Sequence, residues 1–114
     1  DAASPAASGP TATFQRYARK VRDELRRHDD PRADDWSVID YRAAQRLALD
    51  RQPVNMIAAA IRDGSPSITD RKEGHVEDYA RRTAAKAETS DWVSEQRAKR
   101  ARRQAEDTRG PGPR

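Results

Sequence analysis

Apolar residues near the start of the chain recur at the spacing of an amphipathic helix. Between residue 14 and about Arg27 they occupy i, i+3, i+4 and i+7 positions, and they are Phe14, Tyr17, Ala18, Val21 and Leu25. This spacing places them on one helical face, and Thr11 or Thr13 is available as the N-cap. We therefore predict a first helix over this segment.

Two more helices are predicted between Asp30 and Gly64. Asp30-Pro31 supplies an N-cap and then a proline at the first helical position of a second helix, which ends near Asp50. Its core face is predicted to be Ala33, Trp36, Ile39 or Asp40, Ala43 and Leu47. The third helix begins at Pro53, ends at Gly64 and is predicted to bury Val54, Ile57, Ala58 and Ile61. The short loop between the second and third helices predicts a helical hairpin.

A fourth helix is predicted from about Gly74, after a loop over residues 65–72. Its predicted buried positions are Val76, Tyr79, Ala80, Thr83, Ala84 and Ala87. The pattern leaves open whether this helix continues through Trp92 toward residue 105 or is followed by a separate fifth helix. No sustained period-two alternation of the kind that strands require occurs. The sequence thus predicts an all-α fold, a small bundle of four or five helices with disordered N- and C-terminal tails.

Composition divides the chain into four parts. The Pro/Ala/Ser-rich residues 1–11 are predicted to be a flexible linker, and residues 12–90 a helical bundle domain. Residues 91–105 are predicted to form a basic helical extension, and residues 106–114, which finish in Gly-Pro repeats, a disordered tail. Since the chain begins with Asp1 rather than methionine, we expect either a fragment of a longer protein or a processed N-terminus.

The overall composition narrows the classes of function. With 114 residues, 34% of them hydrophobic and 37% charged, the chain has apolar material for one small domain. It contains no apolar run long enough to cross a bilayer and no secretion signal, so we expect a soluble, cytoplasmic protein with no membrane partner. Cysteine is absent and the two histidines are far apart in sequence, so we expect no metal and no cofactor. An acidic cluster, Asp29, Asp30, Asp34 and Asp35, matches no calcium loop, and helix capping is the favoured interpretation.

Charge points to a binding role rather than to catalysis. The chain contains no nucleophile elbow, phosphate-binding loop or zinc-protease motif, so we predict that it is not itself an enzyme. Its formal net charge is +4, and cations concentrate in the first helix and in "RAKRARR", residues 97–103. Such patches typically bind phosphate backbones, because neutralising the phosphates releases counterions. A solvated basic surface without a nucleic-acid partner is the alternative that charge alone leaves open.

Several short motifs between residues 32 and 87 occur together in a defined order. They are Arg32-Ala33-Asp34, Ser65-Pro66, Arg71-Lys72, Gly74-His75, Asp78-Tyr79 and Arg82-Thr83. In these motifs the segment resembles the small helical domain on the C-terminal side of RepB-type plasmid DNA primases, which also occurs in relaxases and in primase-relaxase fusions of mobile plasmids. Members of that family often have a glycine between the second and third helices, where this chain has Asp50-Arg51-Gln52-Pro53. The resemblance implies an accessory role in handling the template, because the primase chemistry of such proteins belongs to a separate catalytic domain.

Nine residues are predicted to contact nucleic acid. They are Arg16, Arg19, Lys20, Arg71, Lys72, His75, Arg81, Arg82 and Lys86. The start of the fourth helix, with cations before it, is a predicted phosphate site, and Gly74 there allows either close backbone approach or an unusual dihedral angle. The alternative is structural: Asp78 and Arg82 form an ordinary i, i+4 pair, Tyr79 belongs to the core and His75 is a satisfied cap.

Two functions follow from these features. The leading prediction is a noncatalytic accessory domain of a plasmid relaxase or primase that binds or positions DNA, with single-stranded DNA as the expected partner. The alternative is a protein-interaction module recognised by a type IV secretion coupling protein or another transfer protein. Its predicted contact residues are Arg97, Lys99, Arg100, Arg102 and Arg103. The sequence does not indicate an oligomeric state.

Overall fold

The computed structural model describes residues 9–109, and in that range helices are the only regular secondary structure. In chain order the elements are α1 (Pro10–Arg27), a 3-10 helix (Pro31–Asp34), α2 (Trp36–Leu49), α3 (Val54–Gly64), α4 (Ile68–Arg71), α5 (Val76–Glu88) and α6 (Asp91–Arg109). The prediction of an all-α fold is confirmed. Residues 1–8 and 110–114, which contain most of the two predicted tails, lie outside the described residues. None of the described helices is long and apolar enough to cross a membrane.

Four helices form the bundle. Helices α1 and α5 each pack against both α2 and α3, so α1 and α5 lie diagonally opposite each other. The largest fully buried apolar side chains are Phe14, Ile39, Leu47, Ile57, Ile61 and Val93. The predicted apolar face of α1 is confirmed at Phe14, Ala18, Val21 and Leu25. Helix α3 packs mainly against α1 and α5, so the predicted α2–α3 hairpin contact is only a minor part of the bundle.

The second helix is interrupted near its start, and the prediction of one continuous helix from Pro31 is wrong. Asp30 accepts a hydrogen bond from the Arg32 amide at 2.9 Å and caps the 3-10 helix. Asp35 is extended, with φ −99° and ψ 98°, and its Oδ1 accepts from the Ser37 amide at 3.0 Å. Asp35 therefore acts as a second N-cap and starts α2 anew. Asp30 acts as a cap where predicted, whereas Asp35, which lies inside the predicted second helix, acts as an additional cap. The described residues contain no group of three or more His, Cys, Asp or Glu side chains that could hold a metal ion.

The predicted fourth helix corresponds to α5, and it does not continue through Trp92. A separate helix, α6, follows it. Helix α5 ends at Glu88, and the Ser90 Oγ accepts hydrogen bonds from the Val93 amide at 3.3 Å and from Gln45 Nε2 at 3.2 Å. Ser90 thus caps α6 and fixes its start against α2. Helix α6 continues to Arg109, four residues beyond the predicted end of the extension. Helix α1 begins at Pro10, four residues before its predicted start at Phe14. The segment 65–72, which was predicted to be a loop, contains the short helix α4.

The connection between α2 and α3 contains a residue in the left-handed region. Arg51 has φ 69°, and its amide donates to the Ala48 carbonyl at 2.9 Å, while the Gln52 amide donates to the Leu47 carbonyl at 3.1 Å. This is a helix C-terminus of the kind that glycine usually completes. Arg51 therefore occupies the conformation that a glycine in this connection would adopt without strain.

Replacing this arginine with glycine should stabilise the protein. We expect Arg51→Gly to raise the free energy of unfolding by about 0.5–1 kcal/mol, because glycine reaches positive φ without the Cβ penalty. Gln52→Gly is the matched control: Gln52 has no positive φ, so glycine there should lower stability. Urea denaturation of the two variants measures both changes, and a loss of stability in Arg51→Gly would contradict this interpretation.

Candidate nucleic-acid interface

Polar residues of the segment 65–83 converge on a buried carboxylate in α2. Asp40 has no exposed surface. The Ser65 hydroxyl donates to its Oδ1 at 2.8 Å and the Tyr79 hydroxyl donates to its Oδ2 at 2.7 Å. Arg71 Nη2 lies 3.5 Å from the same Oδ2. We call these four residues the Asp40 network; it ties α4 and α5 to α2.

Arg71 is turned toward the protein. Its Nη2 donates to the Ser65 hydroxyl at 2.5 Å and its Nε donates to the Pro66 carbonyl at 3.1 Å. Only 23% of its side chain is exposed. These contacts give Arg71 a role in stabilising the fold, and we leave it out of the proposed interface.

Burial dominates the electrostatics of the network. Desolvation raises the pKa of Asp40, although the hydrogen bonds from Tyr79 and Ser65 and the charge of Arg71 oppose the shift. Burial, together with the hydrogen bond to Asp40 and its negative charge, raises the pKa of Tyr79 to about 12. Tyr79 therefore stays protonated as a donor to Asp40 at neutral pH.

This raised pKa predicts a loss of stability in alkali. A group whose pKa is raised on folding stabilises the protein fully below its unfolded pKa and loses that contribution as pH rises through the folded value. Between pH 9 and 11, the ionisation of Tyr79 should lower the free energy of unfolding by about 1 kcal/mol, after allowance for its partial exposure. We expect Tyr79→Phe to be less stable at pH 7, because Asp40 loses a donor, but to lose less stability over that interval. Urea denaturation at both pH values tests this, and an equal alkaline loss in both proteins would contradict it.

An open groove lies between α2 and α5. Its volume is about 570 Å³, and its lining residues are Arg32, Ser37, Val38, Tyr41, Arg42, Tyr79, Arg82, Thr83 and Lys86. Four of these are basic, two are tyrosines and none is acidic. We call this feature the basic groove. It places cations from the 3-10 helix, α2 and α5 around aromatic and hydroxyl side chains.

The four cations of the groove differ in their partners. Arg32 is held by Asp30, with 2.5 Å between Nη2 and Oδ2. Arg82 pairs with Asp78 at 3.0 Å, which confirms the predicted i, i+4 pair, but both side chains are more than half exposed and such pairs contribute little to stability. Arg42 and Lys86 form no salt bridge with any residue that the structure describes. Their charge is thus the most available to a ligand.

The predicted contact residues are divided among several surfaces. Arg82 and Lys86 line the basic groove, whereas Arg81 is exposed outside its lining. Arg16, Arg19 and Lys20 lie on α1, the helix diagonal to α5. Lys72 lies against the Tyr79 ring, with Nζ 4.5 Å from its centroid. Arg32 and Arg42, which line the groove, were not predicted. Arg32 lies on the 3-10 helix, which packs against α2, and α2 packs beside α5, so only tertiary contacts bring both arginines to Arg82 and Lys86.

The start of α5 is less suited to a phosphate than predicted. Glu77 and Asp78 occupy its first turn, and Glu77 also pairs with Arg62 at 3.3 Å. These carboxylates already complement the positive end of the helix dipole and would repel an anion. His75 is at the N-cap position but makes no side-chain capping bond. Gly74 has φ 78°, and a Cβ added at this position would meet no other atom within 4 Å. The unusual dihedral angle therefore explains this glycine, and close backbone approach does not.

The basic residues of α6 fall into two groups. Arg97 is anchored, since its Nη2 donates to the Ala48 carbonyl at 2.8 Å and to Glu88 Oε1 at 3.0 Å. Every side chain from Ala98 to Asp107 is exposed, including Lys99, Arg102 and Arg103. Of the five predicted partner-binding residues, Arg97 is therefore engaged within the fold, while the other four cations remain accessible.

Comparison with known proteins agrees with the expected resemblance. Residues 34–87 match the model of the RepB DNA-primase C-terminal helical domain. The chain is also similar to Mobilization protein A of Escherichia coli, with 39% identity over 77 residues; this match covers 68% of the chain and 11% of that relative. No solved structure matches the chain significantly. The resemblance is thereby confirmed: residues 34–87 form a helical domain similar to that of RepB primases, and the chain is related to plasmid primase and mobilization proteins.

Proposed function

We propose that this chain is a noncatalytic, cytoplasmic accessory domain of a plasmid relaxase or primase, and that it binds or positions single-stranded DNA during mobilization or replication. The observation that carries the proposal is the basic groove, where four cations from the 3-10 helix, α2 and α5 line a cavity with no acidic residue in its lining. The relationship to a primase domain and to Mobilization protein A supports a plasmid DNA-processing context.

The charge of the groove suits a phosphate backbone. Arg82 and Lys86 are one turn apart on α5 and so share a helical face, and Arg42 reaches the same cavity from α2. Each phosphate that these cations neutralise releases condensed counterions, so binding should weaken as salt increases. Arg42 and Lys86 contribute most, because no described carboxylate pairs with them.

Aromatic side chains in the lining favour a single strand over a duplex. Tyr41 and Tyr79 both line the groove, and Tyr79 is held in place by its hydrogen bond to Asp40. Unpaired bases can stack on aromatic rings, whereas bases inside a duplex are already stacked. Tyr41 is half-buried and makes no hydrogen bond that ties its ring to the Asp40 network, so we assign the stacking contact to Tyr41.

The proposal is tested by titrating labelled single-stranded and duplex DNA with the protein at two salt concentrations. We expect tighter binding to the single strand and a decrease in affinity at higher salt. Tyr41→Leu should weaken single-strand binding by about fivefold or more, because stacking contributes about 1–3 kcal/mol per base. Tyr41→Phe keeps the ring and is the matched control.

Three results would count against this function. Absence of binding at low salt would contradict the proposed function itself, and equal affinity for the two forms of DNA would remove the preference for single strands. Equal behaviour of Tyr41→Leu and Tyr41→Phe would remove the stacking contact. Melting temperatures of both variants show whether any loss of binding results from loss of folding.

A second function, recognition by a transfer or secretion protein, is favoured by the exposed half of α6. Lys99, Arg102 and Arg103 project from a helical segment whose side chains are all exposed. Replacing these three residues with alanine should lower plasmid transfer without changing DNA affinity if an acidic surface of a coupling protein binds there. Transfer at the parental level would exclude this role for the three residues.

A further inference from the structure

A second basic cavity lies where the C-terminal end of α2 meets α6. It has a volume of about 390 Å³, and Asp50, Arg51, Arg97, Arg100 and Gln104 are among its lining residues. We call it the α2–α6 corner. The lining thus contains three arginines, one side-chain amide and one carboxylate.

The corner carries a net positive charge, because Arg97 pairs with Glu88 at 3.0 Å and Arg51 and Arg100 then outnumber the single carboxylate of Asp50. The carboxylate of Asp50 is engaged by α1, since the Tyr17 hydroxyl donates to its Oδ2 at 2.5 Å. Arg51 and Arg100 form no salt bridge with any residue in the described range 9–109. The Nε of Arg97 is buried without a hydrogen-bond partner among the described residues. The exposed guanidinium groups of Arg51 and Arg100 are therefore the donors of the corner that are available to a ligand.

The conformation of Arg51 is a second, independent observation. Its φ of 69° carries a strain that glycine would relieve. Strained residues concentrate at functional sites, where the side chain outweighs the cost of its backbone. Asp29 and Ser67 share this conformation, so it is compatible with a role for the Arg51 side chain, and the lining and charge of the cavity carry the inference.

The path of the chain connects the corner to the basic groove. The groove flanks residues 37–42 of α2 and the corner flanks residues 49–51, so they are about 15 Å apart along the helix at 1.5 Å per residue. Helix α6 begins beside Gln45 and passes the Ala48 carbonyl, which Arg97 contacts. It thus runs beside α2 from Gln45 to the corner.

We propose that the α2–α6 corner is a second phosphate-binding site, which holds the same DNA strand that occupies the basic groove. This inference rests on the function proposed above. A short oligonucleotide fills the groove alone, whereas a longer strand reaches both sites. The protein consequently binds long single strands more tightly than short ones, through Arg51 and Arg100.

Oligonucleotides of two lengths, about 4 and about 16 nucleotides, separate the two sites, since site sizes of single-strand binders cover this range. The test variant is Arg51→Gly with Arg100→Ala. Glycine adopts the positive φ of position 51 without strain, so the variant should fold. We expect it to weaken binding of the long strand about 25-fold at 0.1 M salt, as two lost contacts predict from the single-strand salt slope, and to leave short-strand binding unchanged. Arg102→Ala with Arg103→Ala, which removes the same charge from outside the corner, is the control.

The possible outcomes distinguish this inference from the function on which it rests. Unchanged long-strand binding in the corner variant, while Arg42→Ala with Lys86→Ala weakens both lengths, would overturn the second site and leave the groove intact. An equal loss with the control variant would show a general charge effect and would also overturn the corner. Failure of the unmodified protein to bind either length would contradict the proposed function itself.

Discussion

Replacing Asp40 with alanine should lower the free energy of unfolding by about 3 kcal/mol. The substitution removes the common acceptor of the Ser65 and Tyr79 hydroxyls and the partner of Arg71. It also leaves a cavity at a position with no exposed surface. For a domain of this size the melting temperature should decrease by roughly 12 °C or more.

The loss comes from the donors left behind rather than from the charge of Asp40. Its pKa is raised by burial, so the ionised carboxylate is itself disfavoured in the fold. Removing one member of a buried network nevertheless leaves the others without a hydrogen-bond partner. The free-energy penalty of these unpaired groups exceeds the net contribution of an intact pair. Asp40→Asn, which keeps the shape and one acceptor, should therefore be less destabilising than Asp40→Ala.

Asp63→Asn is the matched control for the stability measurement. Asp63 also pairs with an arginine, Arg62 at 3.0 Å, but its side chain is 53% exposed. Exposed pairs contribute about 0–1 kcal/mol, so this variant should melt close to the unmodified protein. If Asp40→Ala were no less stable than Asp63→Asn, the Asp40 network would not hold α4 and α5 in place.

Replacing Arg42 and Lys86 together with alanine should weaken binding to single-stranded DNA about 25-fold at 0.1 M salt. Each phosphate contact on a single strand contributes about 0.7 to the slope of the logarithm of affinity against the logarithm of salt. Two lost contacts should therefore also reduce that slope by about 1.4. Neither side chain forms a salt bridge within residues 9–109, so the fold should be little affected.

Arg19→Ala with Lys20→Ala provides the control for this measurement. Both residues are exposed on α1, which is diagonal to α5, and the variant has the same net charge as the groove variant. We expect it to lower affinity only slightly. Equal losses of affinity and slope in the two variants would mean that overall charge, and not the basic groove, attracts DNA.

The sequence predicted the helices better than their ends. The apolar period of α1 identified its buried face because α1 lies on the bundle with one side only. The second helix was predicted to begin at Pro31, since Asp30-Pro31 is a good start signal, but Asp35 offers a competing cap that restarts the helix five residues later. Local signals of equal strength cannot be ranked without tertiary contacts.

The candidate site was only partly predictable for a related reason. Helical period left Ile39 and Asp40 as alternatives for one core position, and both are buried. Arg71 was predicted to contact DNA because it precedes the start of the fourth predicted helix, yet its partner is 31 residues away in α2. Arg42 joins the groove only through the packing of α2 against α5, which neither sequence spacing nor charge reveals.

The central claim, that the basic groove holds single-stranded DNA, is tested most directly by mapping backbone amide shifts in NMR spectra during titration with an oligonucleotide. The groove predicts that the largest shifts fall in residues 37–42 of α2 and 79–86 of α5, with small shifts around Arg19 and Lys20 in α1. Shifts concentrated in α1 or in the exposed half of α6, with none in the groove, would contradict it.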